Sequence, residues 1–294
     1  MKSTPRHLMI LVLAALPVAW ASAHPHHSHG YSATATAEAG LEPRVDITER
    51  DGYRIISSNA IPVHETGRFP NRGNPNTIRP QALEFKLTLA PKLALQGSPS
   101  DGFVFGVGVN GVPFEPGTAE TWGGHFAWRE EAILADGATR LGLDQNNAHV
   151  QPTGLYHYHG IPWGLIEALR AEDPEAGTDK PLLVGWAADG FGVYYHKGLE
   201  SSWRLIDSER PAPPEGPGGK RDGLYTADYV FELGSGDLDY FNGRTGEDGV
   251  YRYFVTDDFP FLSRYFAGEP DPSFLKHAME GHPGRLGHRP PLPR

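Results

Sequence analysis

The run Tyr156-His157-Tyr158-His159 constrains the local fold of this chain more than any other segment. Alternate residues of a β-strand point to the same face, so a strand here projects both histidines to one side and both tyrosines to the other. The four residues before Leu155, Gln151-Pro152-Thr153-Gly154, predict a tight turn. Proline suits the first turn position, and glycine suits the left-handed position that closes a three-residue loop. The sequence therefore predicts a β-hairpin whose second strand is this run.

The same turn predicts which residues face each other across the hairpin. With a three-residue loop, Val150 faces Tyr156 and His149 faces His157. Side chains directly opposite lie about 4.5–5.5 Å apart at Cβ, and diagonal ones about 7–8 Å apart. We therefore expect His149, His157 and His159 on one face, close enough to hold a metal ion together.

The composition limits the kind of metal site. The chain has no cysteine and three methionines, so thiolate zinc sites and blue-copper sites are excluded and any site must use nitrogen and oxygen ligands. Three neutral imidazoles suit Zn²⁺, with a fourth position for water or a carboxylate. Cu²⁺ accepts the same ligands, and we favour Zn²⁺ over it. Because zinc-bound water ionises near pH 7, metal-assisted hydrolysis is the reaction that such a site predicts.

Asp189 is the carboxylate that we predict at this site, as fourth ligand, as partner of a ligand histidine or as general base. A turn role alone also explains it, because Asp189-Gly190 is a strong hairpin signal, and this interpretation is favoured. Asp144 precedes the hairpin and is a candidate acceptor for a ring N–H. Together with Tyr156 and Tyr158, it is predicted to support the ligands from a second layer.

Calcium is a weaker alternative elsewhere in the chain. The segment 236–243 carries Asp237 and Asp239 but only superficially resembles a calcium loop. Its glycine falls one place late for the EF-hand pattern, and the distal glutamate is missing.

The 36 glycines, the 27 prolines and the short apolar runs of the chain predict a mainly β fold. Candidate strands are residues 103–109, 182–187, 191–195, 229–233 and 250–255. Residues 127–135 and 163–171 are the candidate helices, and residues 211–219 form a loop by composition. We expect a single domain, a sandwich or distorted barrel of antiparallel strands with long loops and a few short helices.

Both ends of the chain differ in composition from the predicted β domain. Residues 1–23 have the basic start, apolar stretch and Ala-Ser-Ala end of a signal peptide, which predicts export to the periplasm or the medium. No other segment is as hydrophobic, so no transmembrane segment is expected. Residues 24–43 form a histidine- and alanine-rich leader, 44–268 the β domain, and 269–294 a tail rich in proline, glycine and histidine. The net charge of −10 argues against nucleic-acid binding.

Several segments together resemble the YHYH family of exported bacterial proteins. The resemblance rests on Asn110-Gly111-Val112-Pro113-Phe114, on the approach to the hairpin at 144–154, on 184–191, and on a closing block at 242–244 and 251–256. It covers roughly residues 101–268, with a departure at Gly192-Val193-Tyr194, where proline and isoleucine are expected before the tyrosine. The family has no established activity, so the resemblance supports His149, His157 and His159 without naming a reaction.

Two functional hypotheses follow. In the first, the chain is an exported metal-binding protein with a three-histidine site that supports metal-assisted hydrolysis if it is catalytic. In the second, it is a non-catalytic binding or envelope-associated module in which the histidines are structural. A small molecule, a glycan or a peptide is then the partner, recognised through exposed aromatic side chains.

Overall fold

The computed structural model describes residues 41–276, which all belong to one compact unit. The predicted signal peptide, most of the predicted leader and the tail residues 277–294 lie outside the described residues.

Short strands dominate the described chain. In order they are β1 (Val45–Arg50), β2 (Tyr53–Ser58), β3 (Leu83–Thr88), β4 (Ser98–Pro99), β5 (Gly106–Gly108), β6 (Pro113–Phe114), β7 (Ala148–Val150), β8 (Tyr156–Tyr158), β9 (Leu182–Ala187), β10 (Gly192–Tyr195), β11 (Trp203–Leu205), β12 (Tyr229–Phe231), β13 (Gly243–Thr245), β14 (Tyr251–Val255) and β15 (Tyr265–Phe266). The α-helix α1 spans Trp163–Glu172, and short 3₁₀ turns occupy Trp122–Gly124, Phe126–Trp128, Thr226–Asp228 and Pro272–Phe274.

An eight-stranded sheet organises the fold, in the order β13-β14-β10-β9-β5-β6-β8-β7. Most of its neighbours are antiparallel, but β10 pairs with β14 and β6 pairs with β8 in parallel. A separate three-stranded sheet, β1-β2-β3, buries Phe85 and Leu87 of β3 against the common core while Glu84 and Lys86 face water. The mainly β fold class is confirmed. The hairpin of β7 and β8 forms one end of the large sheet, with β7 as its edge strand.

The predicted strands lie where strands occur, with differences in length. Residues 182–187 coincide with β9, whereas the run at 103–109 contains the shorter β5. The Asp189-Gly190 turn joins antiparallel β9 and β10, and Gly190 has φ +90°, as this turn requires. Residues 211–219 contain turns and bends but no helix or strand.

One predicted helix is confirmed and the other is wrong. Residues 163–171 lie in α1. Residues 127 and 128 instead end a 3₁₀ turn, and the chain after them is extended and not helical. The backbone N–H groups of Glu130 and Glu131 donate to the carbonyls of Glu120 and Leu224, which are distant in sequence, instead of to carbonyls four residues back. Tertiary pairing therefore overrides the local apolar pattern.

The folded chain continues beyond residue 268. Phe274 is fully buried and its ring stacks on Phe85 with centroids 4.6 Å apart. Its carbonyl accepts a hydrogen bond from the N–H of Val104. Residues up to Lys276 thus pack onto the domain.

Within residues 41–276, no helix has the length and apolar character needed to cross a membrane.

Candidate metal centre

The hairpin forms with the predicted turn and register. Gly154 has φ +93° and donates its N–H to the carbonyl of Gln151, while the N–H of Gln151 donates to the carbonyl of Leu155. His149 pairs with His157, as the three-residue loop requires. The two strands therefore present their histidines to the same side.

The three imidazole rings converge on one point. Nε2 of His159 lies 3.0 Å from Nε2 of His157 and 3.1 Å from Nε2 of His149. The ligand nitrogens of all three lie within 4.8 Å of one another. In the described part of the chain, this is the one group of three or more histidine, aspartate and glutamate side chains that converge in this way. In tetrahedral zinc sites, ligand nitrogens at 2.0–2.1 Å from the ion lie about 3.3 Å apart, so the spacing suits a metal ion.

Backbone carbonyls determine which ring nitrogens face the centre. Nδ1 of His149 lies 2.9 Å from the carbonyl oxygen of Leu141, and Nδ1 of His157 lies 3.3 Å from that of Leu155. A carbonyl oxygen can only accept, so these Nδ1 atoms carry the proton and donate it. The Nε2 atoms of the neutral rings are then unprotonated and point their lone pairs at His159.

Burial keeps the rings of His157 and His159 neutral. His157 and His159 are each 2% exposed, whereas His149 is half-buried. Loss of hydration lowers the pKa of His157 to about 4, against an opposing effect of the Glu115 carboxylate. Burial, together with the charges of His157 and His149, lowers the pKa of His159 well below its ordinary value. Neutral imidazole is the form that binds metal ions.

Sequence reasoning missed the carboxylate beside the histidines, which is Glu115. Its Oε2 lies 4.0 Å from Nε2 of His157. The side chain is buried and is held by Nε2 of Gln151 at 2.6 Å and by Nζ of Lys276 at 2.5 Å. Glu115 follows β6, which pairs with β8, so the sheet order brings it here. The only signal in the sequence was its position directly after the Asn110–Phe114 motif.

The two tyrosines of the run face away from the histidines, as predicted. The Tyr158 hydroxyl lies 2.5 Å from Nε2 of His64 and accepts a hydrogen bond from Nδ2 of Asn110. The Tyr156 hydroxyl donates to Oδ2 of Asp144 at 2.7 Å. Tyr156, Tyr158 and the partly buried Asp144 thus form a polar layer behind the strand, and the hydrogen bonds of Asp144 among the described residues do not include a ring of the three histidines. Sequence reasoning did not single out His64.

Asp189 lies in the turn between β9 and β10, outside the converging group. Its Oδ2 accepts hydrogen bonds from the Tyr253 hydroxyl at 2.5 Å and from the N–H of Gly268 at 2.9 Å. Burial raises its pKa, against the opposing effect of these hydrogen bonds. These contacts support the turn interpretation, and its role as a metal ligand stays a prediction.

In the segment 236–243, the predicted weak calcium candidate, the carboxylates accept hydrogen bonds from backbone N–H groups. Oδ2 of Asp237 accepts the N–H of Glu200, and Oδ1 of Asp239 accepts the N–H groups of Phe241 and Gly243. Since these oxygens are engaged by the backbone, the loop gives no support to a calcium site.

Comparison with known proteins agrees with the motifs around this site. The family model described as "YHYH protein" matches residues 84–268, which is more than half of the chain. No curated protein and no solved structure matches. The matched region contains the hairpin, its three histidines and Glu115. The chain therefore belongs to the YHYH protein family.

Proposed function

We propose that this protein is exported and binds one divalent metal ion, with Zn²⁺ favoured over Cu²⁺. The ligands are the Nε2 atoms of His149, His157 and His159. With three protein ligands, a fourth position stays open for water or substrate, as in catalytic zinc sites. Bound zinc supplies a hydroxide at neutral pH, so metal-assisted hydrolysis is the reaction that we propose.

The observation that carries this proposal is the close approach of three ring nitrogens that lack enough protons to hydrogen-bond with one another. His149 and His157 both point unprotonated Nε2 atoms at His159. A proton on Nε2 of His159 satisfies only one of them at a time. A cation at the common centre satisfies all three lone pairs at once.

Glu115 takes the role that the sequence offered to Asp189. Its carboxylate is buried 4.0 Å from a ligand nitrogen, so it can accept a proton from a bound water or fill the fourth position. Lys276 and Gln151 hold it in place and limit its movement. We assign it the role of general base, because three neutral ligands leave a net positive centre that favours a nearby carboxylate.

The test is a metal analysis of the purified, untagged protein after exposure to Zn²⁺ and dialysis. We expect about one zinc ion more per chain in the wild type than in the variant His157→Ala plus His159→Ala, because the variant keeps one ligand of three. Inductively coupled plasma mass spectrometry gives the stoichiometry.

A matched double variant controls for the other histidines of the chain. His125 and His196 lie outside the cluster, with Nδ1 of His196 on the carbonyl of Lys197. The variant His125→Ala plus His196→Ala should keep the wild-type zinc content. Equal zinc in the wild type and in the cluster variant would overturn the proposal and favour structural histidines.

A further inference from the structure

A second group of buried polar atoms has unused hydrogen-bonding capacity. Within residues 41–276, Nε and Nη1 of Arg264 and Nε of Arg129 are buried and have no hydrogen-bond partner. Buried donors without partners are rare in folded proteins, because the hydration they lose is not replaced. Two guanidinium groups with this feature in one region therefore point to a missing acceptor.

The chain path brings these arginines to the histidine centre. Glu115 donates its N–H to the carbonyl of Tyr158, which places the segment after it alongside His159. A Cβ at Gly117 would lie 3.7 Å from Nη1 of Arg129, so this guanidinium lies against that segment. The residue after His159, Gly160, packs against Ile133 of the same chain stretch as Arg129.

Arg264 reaches the same region from a segment distant in sequence. Its Nη2 pairs at 2.5 Å with Oε2 of buried Glu131, two residues after Arg129. Burial lowers the pKa of Arg264, and the positive charge of Arg129 lowers it further. Two like charges that act on each other in this way are stabilised by a negative partner.

The neighbouring carboxylates of Glu131 and Asp101 pair with only some of the N–H donors of these guanidinium groups. Glu131 engages one edge of Arg264 and also accepts a hydrogen bond from the Thr226 hydroxyl. Asp101 pairs with Nη1 of Arg129 but is 64% exposed, so it can move aside. The edges that carry the unpartnered nitrogens have no acceptor among residues 41–276.

We propose that Arg129 and Arg264 bind an oxyanion group of the substrate, a phosphate, sulfate or carboxylate, next to the three-histidine centre. Guanidinium groups recognise such groups with paired N–H donors in a fixed planar geometry. This inference rests on the proposed metal-dependent hydrolysis and adds its substrate class, which is an anionic one. The arginines position the anion, and the histidine centre receives the bond to be cleaved.

The experiment titrates inorganic phosphate, sulfate and acetate separately into the zinc-loaded and the metal-free protein, by isothermal titration calorimetry at constant ionic strength. We expect at least one of these anions to bind at one site per chain, and the three titrations show which oxyanion chemistry is preferred. Arg264→Lys should weaken that binding at least tenfold. The lysine keeps a charge for Glu131 but lacks the Nε and Nη1 donors.

Arg129→Gln provides a second variant that should fold, because among residues 41–276 the salt bridge of this side chain is to the exposed Asp101. It should also weaken anion binding, whereas Arg252→Gln should leave it within twofold, since Arg252 pairs with Asp248 on the surface. The inference is overturned if none of the three anions binds, or if neither arginine variant weakens binding. Zinc content measured on the same samples separates the two proposals. If zinc is retained but anion binding does not depend on the arginines, the anion site alone is rejected. If anion binding depends on the arginines but no zinc is bound, the metal site alone is rejected.

Discussion

At the scale of single residues, the chemistry of the site depends on the protonation of individual ring nitrogens. The carbonyls of Leu141 and Leu155 select the proton position on His149 and His157. Burial then makes the charged form of His157 and His159 unfavourable. His157 and His159 are therefore neutral nitrogen donors, which is the state that the proposed metal binding requires.

This protonation state predicts how the stability of the metal-free protein depends on pH. The pKa of His157 is lower in the folded protein, at about 4, than the 6.5 of a free imidazole, so the unfolded chain binds more protons between these values. The free energy of unfolding should be highest above pH 6.5 and fall as the pH approaches 4. The fall is about 1.4 kcal/mol per pH unit for each such histidine.

Urea unfolding in the presence of a chelator at pH 7, 6, 5 and 4.5 measures this dependence. His157→Gln removes one of the titrating groups, so its stability should fall less steeply than that of the wild type. Identical slopes in the two proteins would contradict the lowered pKa.

At the scale of elements, the β7–β8 hairpin is the unit that assembles the site. Its three-residue loop sets His149 opposite His157, and the alternation of β8 puts His159 on the same face. A shift of the pairing by one residue would move the histidines to the opposite face. Gly154, the glycine of this turn, is therefore as important to the site as the three histidines are.

Gly154→Ala tests this dependence. Gly154 has φ +93°, and a Cβ there would lie 2.6 Å from Cβ of Arg79, so the turn must distort. We expect a loss of about 1–3 kcal/mol in stability and weaker zinc binding, measured by urea unfolding and by zinc titration.

Gly198→Ala is the matched control, because Gly198 also has a positive φ, +81°, but a Cβ there meets nothing within 4 Å. It should cost only the backbone strain, about 1–2 kcal/mol, and leave zinc binding unchanged. Equal zinc affinity in both variants would show that the turn does not control the site.

At the scale of the whole molecule, the site is completed by residues distant in sequence. Glu115 comes from the end of β6, and Lys276 from the end of the described chain. Residues 269–276 reach this position because Phe274 inserts into the core and Phe103 forms a bridge to Leu275. The segment after the matched family region thus contributes both to packing and to the charge balance of the site.

Phe274→Ala should therefore destabilise the whole domain. Removing a fully buried phenylalanine leaves a cavity and costs about 3–5 kcal/mol. Thermal or urea unfolding measures the loss. Phe126→Ala is the control, because that side chain is 78% exposed and should change stability by less than about 0.5 kcal/mol. A small effect of Phe274→Ala would mean that residues 269–276 are not part of the stable core.

The sequence by itself determined the hairpin, its register and the convergence of the three histidines, because β-pairing across a tight turn depends on neighbours within a dozen residues. The mainly β class and α1 followed from local patterns in the same way. Tertiary structure alone decided that residues 127–135 are not helical, that Glu115 lies beside His157, and that Arg264 pairs with Glu131 from a distant segment. These features depend on contacts between residues far apart in the chain, and on burial. Burial changes the pKa and the available partners of each side chain, and it has no signature in the local sequence.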